Sequence, residues 1–489
     1  MKIKKAATIF LIFLAITVNA KDYRASLFGI ESNGTTLNTT SIQKAIDFIH
    51  ENGGGRLVFF AGRYVTGSIY LKSNVTIHLE EGAILVGSLN PFDYNRHDYW
   101  TSLVFAYDQE NIGITGNGVI DGRGYQVANN VLSMIHKGII KDNDFRYDRP
   151  NAGLRPHNIY FKGCKNVHIQ GIILKDPASW NQQYDQCKNV LVENITVDSK
   201  SYWNNDGIDI VDCDSVIVRN CYIDAADDGI CLKSHSPDFL CQNVLIYNNK
   251  VRTSANGIKF GTASQGGFKN IKIIKNTVFD TYRSAITFAA VDGGICEDIV
   301  VDSLQSLNTG NVFFLRIGER KPGKKGLMNN ISISNVYAEV PATKPDAGYN
   351  YEGPVEDLPR NISPASIVGM SDAKICNVTL KNIEIFYPGG GNPKYAKVGL
   401  DELDKVPEIP ANYPEFSMFK ELPAWGFYIR HAKGITFENV KLTCEKEDYR
   451  TAIVLDNVHG ASFKSLKVEE PGKKKEPVFS HNSSDVSLK

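Results

Sequence analysis

The sequence predicts an all-β fold, a single-stranded right-handed parallel β-helix, from three observations. One pattern recurs from Asn74 onward, in which a turn-forming residue, usually asparagine, precedes two or three alternating apolar residues. Its apolar anchors recur every 23 to 28 residues, which is the period of a solenoid. Two further short strands fall within each period, so one turn contains three strands. The anchors include Val167, Val190, Val216, Val244, Ile271 and Ile299.

The two further rows of strands have patterns of their own. The second row begins with asparagine, and the third row carries a glycine or alanine before its apolar residues. Leucine-rich repeats have a similar period, but their leucine pattern is absent here. The repeated asparagines predict hydrogen-bonded ladders at the turns. The positions are Asn194, Asn220, Asn248 and Asn276 in the second row, and Gly207, Gly229, Gly257 and Ala285 in the third.

A helix over Thr40–Glu51 is expected to cap the N-terminal end of the solenoid. Thr40 and Gln43 have capping-box spacing, and Ile42, Ala45, Ile46 and Ile49 form one apolar face. Three insertions interrupt the period, at about 125–155, 338–364 and 388–424. Long loops on a rigid β-helix either shape a binding cleft or protect strand edges.

Charge and cysteine usage restrict the function classes. The chain has 54 basic and 54 acidic residues, so its charge gives no reason to expect nucleic acid or an anionic membrane as a partner. Its nine cysteines lack zinc-site spacing. Four of them precede strand starts, which favours buried thiols over disulfides. These four are Cys164, Cys187, Cys213 and Cys296.

Residues 1–20 have the features of a secretory signal peptide, with three lysines, an apolar run and a small-residue cleavage site. A membrane anchor is the alternative, although the run is shorter than a typical span of about 20 residues. We expect residues 21–489 to form one β-helical domain with no membrane span and to be exported, to the periplasm or the medium. The sequence does not indicate an oligomeric state.

Three carboxylates precede glycines in two segments of matching pattern: Asp206, Asp227 and Asp228. Equivalent strands would place Asp206 and Asp228 about 4.8 Å apart on successive turns. Stacked like charges should raise at least one pKa, as an acid and base pair requires. Inverting glycoside hydrolysis uses such a set. Ordinary turn chemistry and a calcium site are the alternatives.

Other polar and aromatic side chains are expected near these acids. Strand alternation predicts one outward-facing column, formed by Asp209, Cys231, Lys259 and Thr287. Asn256 continues the column of Asp206 and Asp228 onto the next turn. Trp180, Tyr202 and Trp203 could stack on sugar rings or be ordinary surface aromatics, and His235 could approach the site or be solvated.

Several segments resemble the polygalacturonases and related pectin hydrolases of glycoside hydrolase family 28, from about Leu27 almost to the C-terminus. They are TSIQKAIDFI at 40–49, IDGRG at 120–124, RPHNIYFKGC at 155–164, DPASWNQQYDQCKNV at 176–190, NNDGID beginning at Asn204, and AADDGICLKS around Asp227. The resemblance implies a parallel β-helix and an inverting mechanism without a metal or other cofactor. It implies that Asp227 is the general acid, that Asp206 and Asp228 hold the water, and that Asn204 lies at the substrate site.

Two departures from the family pattern concern the substrate. Asn256 stands where the family has histidine, and Thr287 and Ala289 stand where it has the arginine and lysine that grip a galacturonate carboxylate. The nearby cations are the candidate replacements, with Lys259 first, followed by Lys233, Arg283 and Arg316.

We therefore expect an exported glycoside hydrolase acting on a pectin-type polysaccharide or its oligosaccharides. The altered motifs and long insertions suggest exo action or a different subsite sugar. A carbohydrate-binding β-helix that has lost catalysis and a polysaccharide lyase are the alternatives.

Overall fold

The computed structural model describes residues 21–345, 363–472 and 476–488, which wind into a right-handed parallel β-helix. This confirms the predicted fold class. The expected signal peptide and the middle of the insertion at 338–364 lie outside the described residues. No helix in the described part of the chain is long and apolar enough to cross a membrane.

The described helices and strands have the following bounds. The helices are α1 (Thr39–Glu51) and α2 (Gly124–His136). The N-terminal strands are β1 (Asp22–Arg24), β2 (Asn33–Leu37), β3 (Gly55–Phe59), β4 (Gly62–Thr66), β5 (Ile69–Tyr70), β6 (Val75–Leu79), β7 (Ala83–Gly87), β8 (Arg96–His97), β9 (Trp100–Tyr107), β10 (Glu110–Gly116) and β11 (Val119–Asp121). The central strands are β12 (His157–Lys162), β13 (Lys165–Gln170), β14 (Ile173–Lys175), β15 (Gln182–Asp185), β16 (Lys188–Glu193), β17 (Thr196–Ser199), β18 (Ile208–Val211), β19 (Asp214–Arg219), β20 (Tyr222–Ala225), β21 (Ile230–Ser234), β22 (Cys241–Tyr247) and β23 (Lys250–Thr253). The C-terminal strands are β24 (Ile258–Ser264), β25 (Gly267–Ile274), β26 (Thr277–Ala290), β27 (Ile295–Ile317), β28 (Leu327–Glu339), β29 (Ala365–Val368), β30 (Ile375–Gly389), β31 (Ala424–Lys446), β32 (Thr451–Glu469), β33 (Val478–His481) and β34 (Ser484–Leu488).

The strands form three parallel rows, and each strand pairs with its equivalent one turn later. In the central turns the first row is β13, β16, β19 and β22, the second is β14, β17, β20 and β23, and the third is β15, β18, β21 and β24. From β26 onward one strand often passes through two or three rows. The predicted anchors pair in sequence from Val167 to Ile299 without a shift, which confirms the repeat register. Their side chains are buried in one continuous core.

Asparagine ladders run along the turns of the β-helix, as predicted. Asn166 donates from Nδ2 to Oδ1 of Asn111 at 2.9 Å, and Asn189 donates to Asn166 at 3.0 Å. Both Asn166 and Asn189 have φ of 55°, a left-handed conformation that asparagine tolerates better than most residues. In the second row, Asn248 donates to Asn220 at 2.8 Å. Asparagine at each turn therefore both adopts the left-handed backbone conformation and accepts a hydrogen bond from the side-chain amide of the next asparagine.

The cysteines lie inside the solenoid with free thiols. All nine are unpaired, and the four at strand starts are buried. Cys187 illustrates their role, because its Sγ contacts the carbonyl oxygens of Phe161 and Asp185 at 3.4 Å each. The prediction of buried thiols is confirmed.

The N-terminal helix caps the solenoid, but not through the predicted capping box. Its apolar face is fully buried, as expected. Gln43, however, bonds to the Tyr70 backbone, accepting from its N–H at 2.8 Å and donating to its carbonyl at 3.0 Å. Thr39 begins the helix and accepts from the Gly67 N–H at 2.7 Å. Of the two side chains predicted to cap the helix, Gln43 instead attaches it to the first turns, and Thr39, which was not predicted, does the same.

The insertion between β30 and β31, residues 390–423, is called the C-terminal insertion below. It packs an apolar cluster against outward-facing side chains of the third row, such as Phe314, Tyr428 and Val454. Leu403, Phe416 and Phe419 are among the side chains that the insertion contributes. The first predicted insertion contains α2, a helix that the sequence pattern did not indicate.

Candidate active site

Successive turns of the third row bring the predicted carboxylates together. Gly207 donates its N–H to the Asp228 carbonyl at 2.9 Å, which places Asp206 and Asp228 on adjacent turns. One carboxylate oxygen of each lies within 4.8 Å of the other. The predicted stacking of these two side chains is confirmed. Asp206, Asp209, Asp227 and Asp228 are called the carboxylate cluster below.

The column predicted to face outward is in the predicted register but not exposed. Asp209 pairs with Cys231, Cys231 with Lys259, and Lys259 with Thr287. All four side chains point away from the core, yet all are buried. The C-terminal insertion contributes cover over Lys259, whose ammonium donates to Tyr413. Sequence alternation predicted the direction of the side chains correctly and their solvent exposure wrongly.

Asp228 is held in its ionised form. Oδ1 accepts from the backbone N–H and from Nδ2 of Asn256, at 3.1 and 2.8 Å. Oδ2 lies 3.0 Å from the ammonium of Lys259. Burial alone would raise the pKa of Asp228, but the ammonium groups of Lys259 and Lys233 and the Asn256 hydrogen bond outweigh burial and lower it.

Asp206 and Asp209 share the ammonium of Lys233. Lys233 Nζ donates to Asp209 at 2.6 Å, to Asp206 at 3.3 Å and to the Cys231 sulfur at 2.8 Å. Burial and the charge of Asp209 raise the pKa of Asp206 well above its usual range. Burial also raises the pKa of Asp209 to about 6, although Lys233 opposes that shift. The two acids therefore hold protons more tightly than Asp228 does.

Asp227 is the half-buried member of the cluster. Its backbone is fixed by Thr253, whose hydroxyl donates to the Asp227 carbonyl, and by Asn205, whose carbonyl accepts from the Asp227 N–H at 3.3 Å. Burial and then the charge of Asp228 raise the pKa of Asp227. Two consecutive aspartates thus have oppositely shifted pKa values.

Asn256 and Thr287, the residues that depart from the family pattern, belong to one hydrogen-bonded chain. Thr287 donates its hydroxyl to Asn256 Oδ1 at 2.8 Å, and Asn256 Nδ2 donates onward to Asp228. Both residues are buried. Two neutral side chains therefore stand where the family has a histidine and an arginine, and they orient a carboxylate.

The C-terminal insertion supplies two side chains to the site. Glu415 lies 2.5 Å from Arg283 Nη1 and 3.9 Å from the ammonium of Lys259. Tyr413 accepts from Lys259 at 2.8 Å through its hydroxyl. Lys259 and Arg283, predicted as substrate-binding cations, are thus close to the cluster, but both contact carboxylates of the chain itself.

Arg316 is not brought to the carboxylate cluster. Its guanidinium donates to the carbonyl oxygens of Gly369 at 3.2 Å and of Glu408 in the C-terminal insertion, and its side chain is fully buried. The proposed substrate-binding role of Arg316 is therefore corrected to a structural one, because backbone carbonyls of the insertion occupy its donors.

Trp180 lies beside the cluster, with its ring centroid 4.4 Å from the Lys233 ammonium and 4.6 Å from the ring centroid of Trp100.

Asn204 accepts from Arg155 at 2.8 Å and borders a cavity of about 520 Å³ whose other lining residues include Arg146 and Arg149. Most of this cavity is built from the first insertion.

Three more aromatic or basic candidates lie around the site. Tyr202 and Trp203 stack beneath guanidinium groups, those of Arg155 and Arg149 respectively. His235 is half-buried, and burial lowers its pKa to about 4, so it is neutral at physiological pH.

Sequence analysis missed Tyr413, Glu415 and Arg149. Glu415 is 132 residues from Arg283, and Tyr413 is 154 residues from Lys259. Both lie in a segment without the repeat, so no register could connect them to the third row. The only available signal was the richness of that insertion in tyrosine and proline.

Asp206, Asp228 and Cys231 each offer one metal-ligating atom, and these atoms lie within 4.8 Å of one another. Calcium takes six to eight oxygen ligands. Here one donor is a thiol, and the two carboxylates already contact Lys233 and Lys259. The donor set therefore suits the cations that the chain supplies better than it suits calcium.

Comparisons with known proteins agree with this site and fold. The model of the glycosyl hydrolases family 28 matches residues 61–286, which include the carboxylate cluster. An exo-poly-alpha-D-galacturonosidase of Dickeya chrysanthemi is 26% identical over 318 residues, 55% of this chain and 52% of that protein. A probable polygalacturonase of Vitis vinifera is 25% identical over 337 residues, 65% of this chain and 61% of that protein. The chain thus spans about half to three fifths of the length of these relatives.

A solved structure shares the fold. The hyperthermoactive exopolygalacturonase of Thermotoga maritima superposes with a TM-score of 0.60 at 20% identity, over 86% of this chain and 91% of that one. Fold and carboxylate cluster together define a β-helical glycosidase-type protein. Residues 61–286 match the model of the glycosyl hydrolases family 28, and the chain is similar to that family over this part.

Proposed function

We propose that this protein is an inverting glycoside hydrolase that cleaves a pectin-type polysaccharide or its oligosaccharides. The observation that carries the proposal is the opposite shift of two adjacent acids: the pKa of Asp227 is raised and that of Asp228 is lowered. Acids whose environments separate their pKa values can act as proton donor and proton acceptor in one reaction. Residues 21–489 form the catalytic unit in this proposal.

Asp227 is the general acid. Because burial and the charge of Asp228 raise its pKa, Asp227 holds a proton more readily than an ordinary aspartate, and it can transfer that proton to the glycosidic oxygen as the bond to the anomeric carbon breaks. The leaving sugar then departs as a neutral alcohol. Thr253 and Asn205 hold the Asp227 backbone, so the carboxyl group is presented from a fixed position.

Asp228 and Asp206 position the water. Their carboxylate oxygens lie within 4.8 Å of each other, close enough for one water molecule to contact both. Asp228 is assigned as the base because its lowered pKa keeps it ionised and so able to accept a proton, whereas Asp206 has a raised pKa and is better suited to orienting the water. The water loses its proton to Asp228 while its oxygen bonds to the anomeric carbon from the face opposite the leaving group, which inverts the configuration.

Asn204, Asp209, Lys233, Asn256, Lys259, Arg283 and Trp180 complete the site in this proposal. Asn256 and Lys259 keep Asp228 ionised, and Lys233 with Asp209 restrains Asp206. Trp180 is a half-exposed aromatic platform at the edge of the cluster, where a sugar ring could stack. The pectin-type substrate is supported by the relatives, whose names are those of polygalacturonases.

We further propose exo action and export. The first insertion builds most of the cavity that Asn204 borders, and the last insertion contacts Lys259, so both insertions contribute to the surroundings of the site, as expected where long loops shape a cleft for a chain end. Residues 1–20 would direct export, which matches a substrate too large to enter the cell.

Replacing Asp227 with asparagine tests the proposal. We expect Asp227→Asn to lower kcat by at least about 10²-fold on pectic oligosaccharides, because the general acid is lost while the shape is kept. Asp238→Asn, in the exposed loop after β21, is the matched control and should leave kcat unchanged. Product anomers should be followed by NMR.

Unchanged turnover in Asp227→Asn would remove the assignment of the acid. Retained configuration in the first product would contradict the inverting mechanism. An unsaturated product that absorbs in the ultraviolet would indicate elimination and therefore a lyase.

A further inference from the structure

We propose that the sugar unit seated against Asp228, Lys259 and Arg283 is neutral, so that the bond cleaved in a pectin-type glycan is one at a unit without a free carboxylate. This inference rests on the proposed function and specifies its substrate. It follows from what the three cations of the site already contact.

Each cation of the site is paired with a carboxylate of the chain. Lys233 has three ammonium protons, and these face Asp209, Asp206 and the Cys231 sulfur at 2.6 to 3.3 Å. Lys259 lies 3.0 Å from Asp228 and bonds to the Tyr413 hydroxyl. Lys233, Lys259 and Arg283 are therefore each already paired with a carboxylate of the chain where a uronate would enter the site.

Arg283 is the decisive contact. Its Nη1 lies 2.5 Å from Glu415, whose same oxygen is 3.9 Å from the Lys259 ammonium. A carboxylate of the C-terminal insertion thus occupies the place between two cations that the carboxylate of a bound uronate would need. Arg283 and Glu415 are both more than nine-tenths buried, so the pair is weakly screened by solvent.

The charge count points the same way. Five carboxyl groups, those of the carboxylate cluster and Glu415, surround three cations, Lys233, Lys259 and Arg283. Two of the five must be protonated before the local charge reaches zero. A uronate would add a further negative charge to a buried site, and an unpaired buried charge is strongly unfavourable.

A neutral sugar fits the same contacts. Tyr413 is about half exposed, so part of this residue is open to a ligand, while its hydroxyl accepts from Lys259 and can still donate its own proton. Hydroxyl groups of a neutral sugar can accept from or donate to such a phenol without adding charge. The C-terminal insertion therefore acts as the specificity element of this site.

The test uses two probes with the same sugars and linkages that differ at the carboxyl group: oligogalacturonates with free carboxylates, and the same oligosaccharides with every carboxylate converted to its neutral methyl ester. Binding is measured by calorimetry with the Asp227→Asn variant, so that neither probe is consumed. We expect the neutral ester to bind at least about tenfold more tightly than the free acid. With active protein, the ester should also be hydrolysed with the higher kcat/KM.

Glu415→Gln supplies the second arm. Removing that carboxylate releases Arg283, so binding of the free acid should tighten at least about tenfold and the preference for the ester should disappear. Glu402→Gln makes the same change at a partly exposed position of the same insertion and should leave the preference unchanged. Thermal unfolding checks that both variants are folded.

Tighter binding of the free acid by the Asp227→Asn variant overturns the inference, and so does binding of neither probe. A Glu415→Gln variant that is folded but keeps the preference for the ester also overturns it. If Glu415→Gln does not fold, the ratio of the affinities of the Asp227→Asn variant for the two probes decides. A protein that binds the ester but hydrolyses no pectic substrate would refute the proposed function and leave the inference about charge supported.

Discussion

At the scale of single residues, the neighbours of each carboxylate set its protonation state. Asp227 is half-buried and the next residue, Asp228, is buried, and their pKa values shift in opposite directions. The difference is that Asp228 contacts Lys259 and Asn256, whereas Asp227 has the charge of Asp228 beside it. Chemistry at this site therefore depends on Lys259, which sequence analysis had placed only as a substrate-binding cation.

Lys259→Met should shift the acidic limb of the pH–rate profile. Asp228 must be ionised to act as base, so activity is lost as the pH falls through its pKa. Without Lys259 that pKa rises, and the loss should begin about 1 to 2 pH units higher. The profile of kcat/KM against pH measures the shift. The control is Lys272→Met, at an exposed position of β25, which should leave the profile unchanged. An unchanged profile in Lys259→Met would contradict the assignment of Asp228 as a base whose pKa is lowered by Lys259.

At the scale of the elements, the third row packs so closely on its neighbours near the carboxylate cluster that the positions of Gly207 and Gly229 admit no side chain. A Cβ at Gly229 would lie 2.4 Å from Val251 Cγ1 and 2.7 Å from the Gly257 carbonyl oxygen. The same crowding occurs at Gly207, against Gly229 and Ile223. These glycines let the chain place Asp206 and Asp228 directly before a buried strand.

Gly229→Ala should therefore both destabilise the protein and impair turnover. Overpacking of this kind costs about 1 to 3 kcal/mol in the free energy of unfolding, and the displaced backbone carries Asp228 with it. Denaturant unfolding and kcat measure the two effects. The chain offers its own control two turns further on, where Ala285 occupies the equivalent place, and Ala285→Gly should leave kcat unchanged. A Gly229→Ala protein with normal stability would show that the rows can separate.

At the scale of the whole molecule, the β-helix is stabilised by its continuous core and its ladders rather than by covalent links. All nine cysteines are free, and eight of them are buried. Their thiols fill interior positions, as the apolar residues of neighbouring turns do.

Reducing agent should consequently leave stability unchanged. We expect the free energy of unfolding to differ by less than about 0.5 kcal/mol with and without reductant, whereas loss of a native disulfide costs about 2 to 5 kcal/mol. Urea unfolding of freshly purified protein measures this. Thiol titration after denaturation should detect nine groups, and a smaller number would show that a disulfide forms in solution.

The fold and the carboxylate cluster could be predicted from the sequence because both follow from the repeat. Alternation determines which way Val216 or Lys259 points, and the interval between Gly207 and Gly229 determines that Asp206 and Asp228 are neighbours. The contacts of Glu415 could not be predicted, because they depend on how a segment without periodicity folds back over the sheet. The burial of Lys259 and the structural role of Arg316 were missed for the same reason.

The chain of hydrogen bonds from Thr287 through Asn256 to Asp228 has a consequence for how this site could evolve. A histidine at position 256 would take away the amide that donates to Asp228 and the oxygen that accepts from Thr287, so two buried groups would lose partners in one step. An arginine at position 287 would in turn need an anionic partner. Asn256 offers only a neutral amide oxygen there, not a carboxylate. The family pattern and the arrangement in this chain are therefore separated by single changes that are each unfavourable. Successive turns of a solenoid repeat the same backbone, but the side chains at such a site depend on one another.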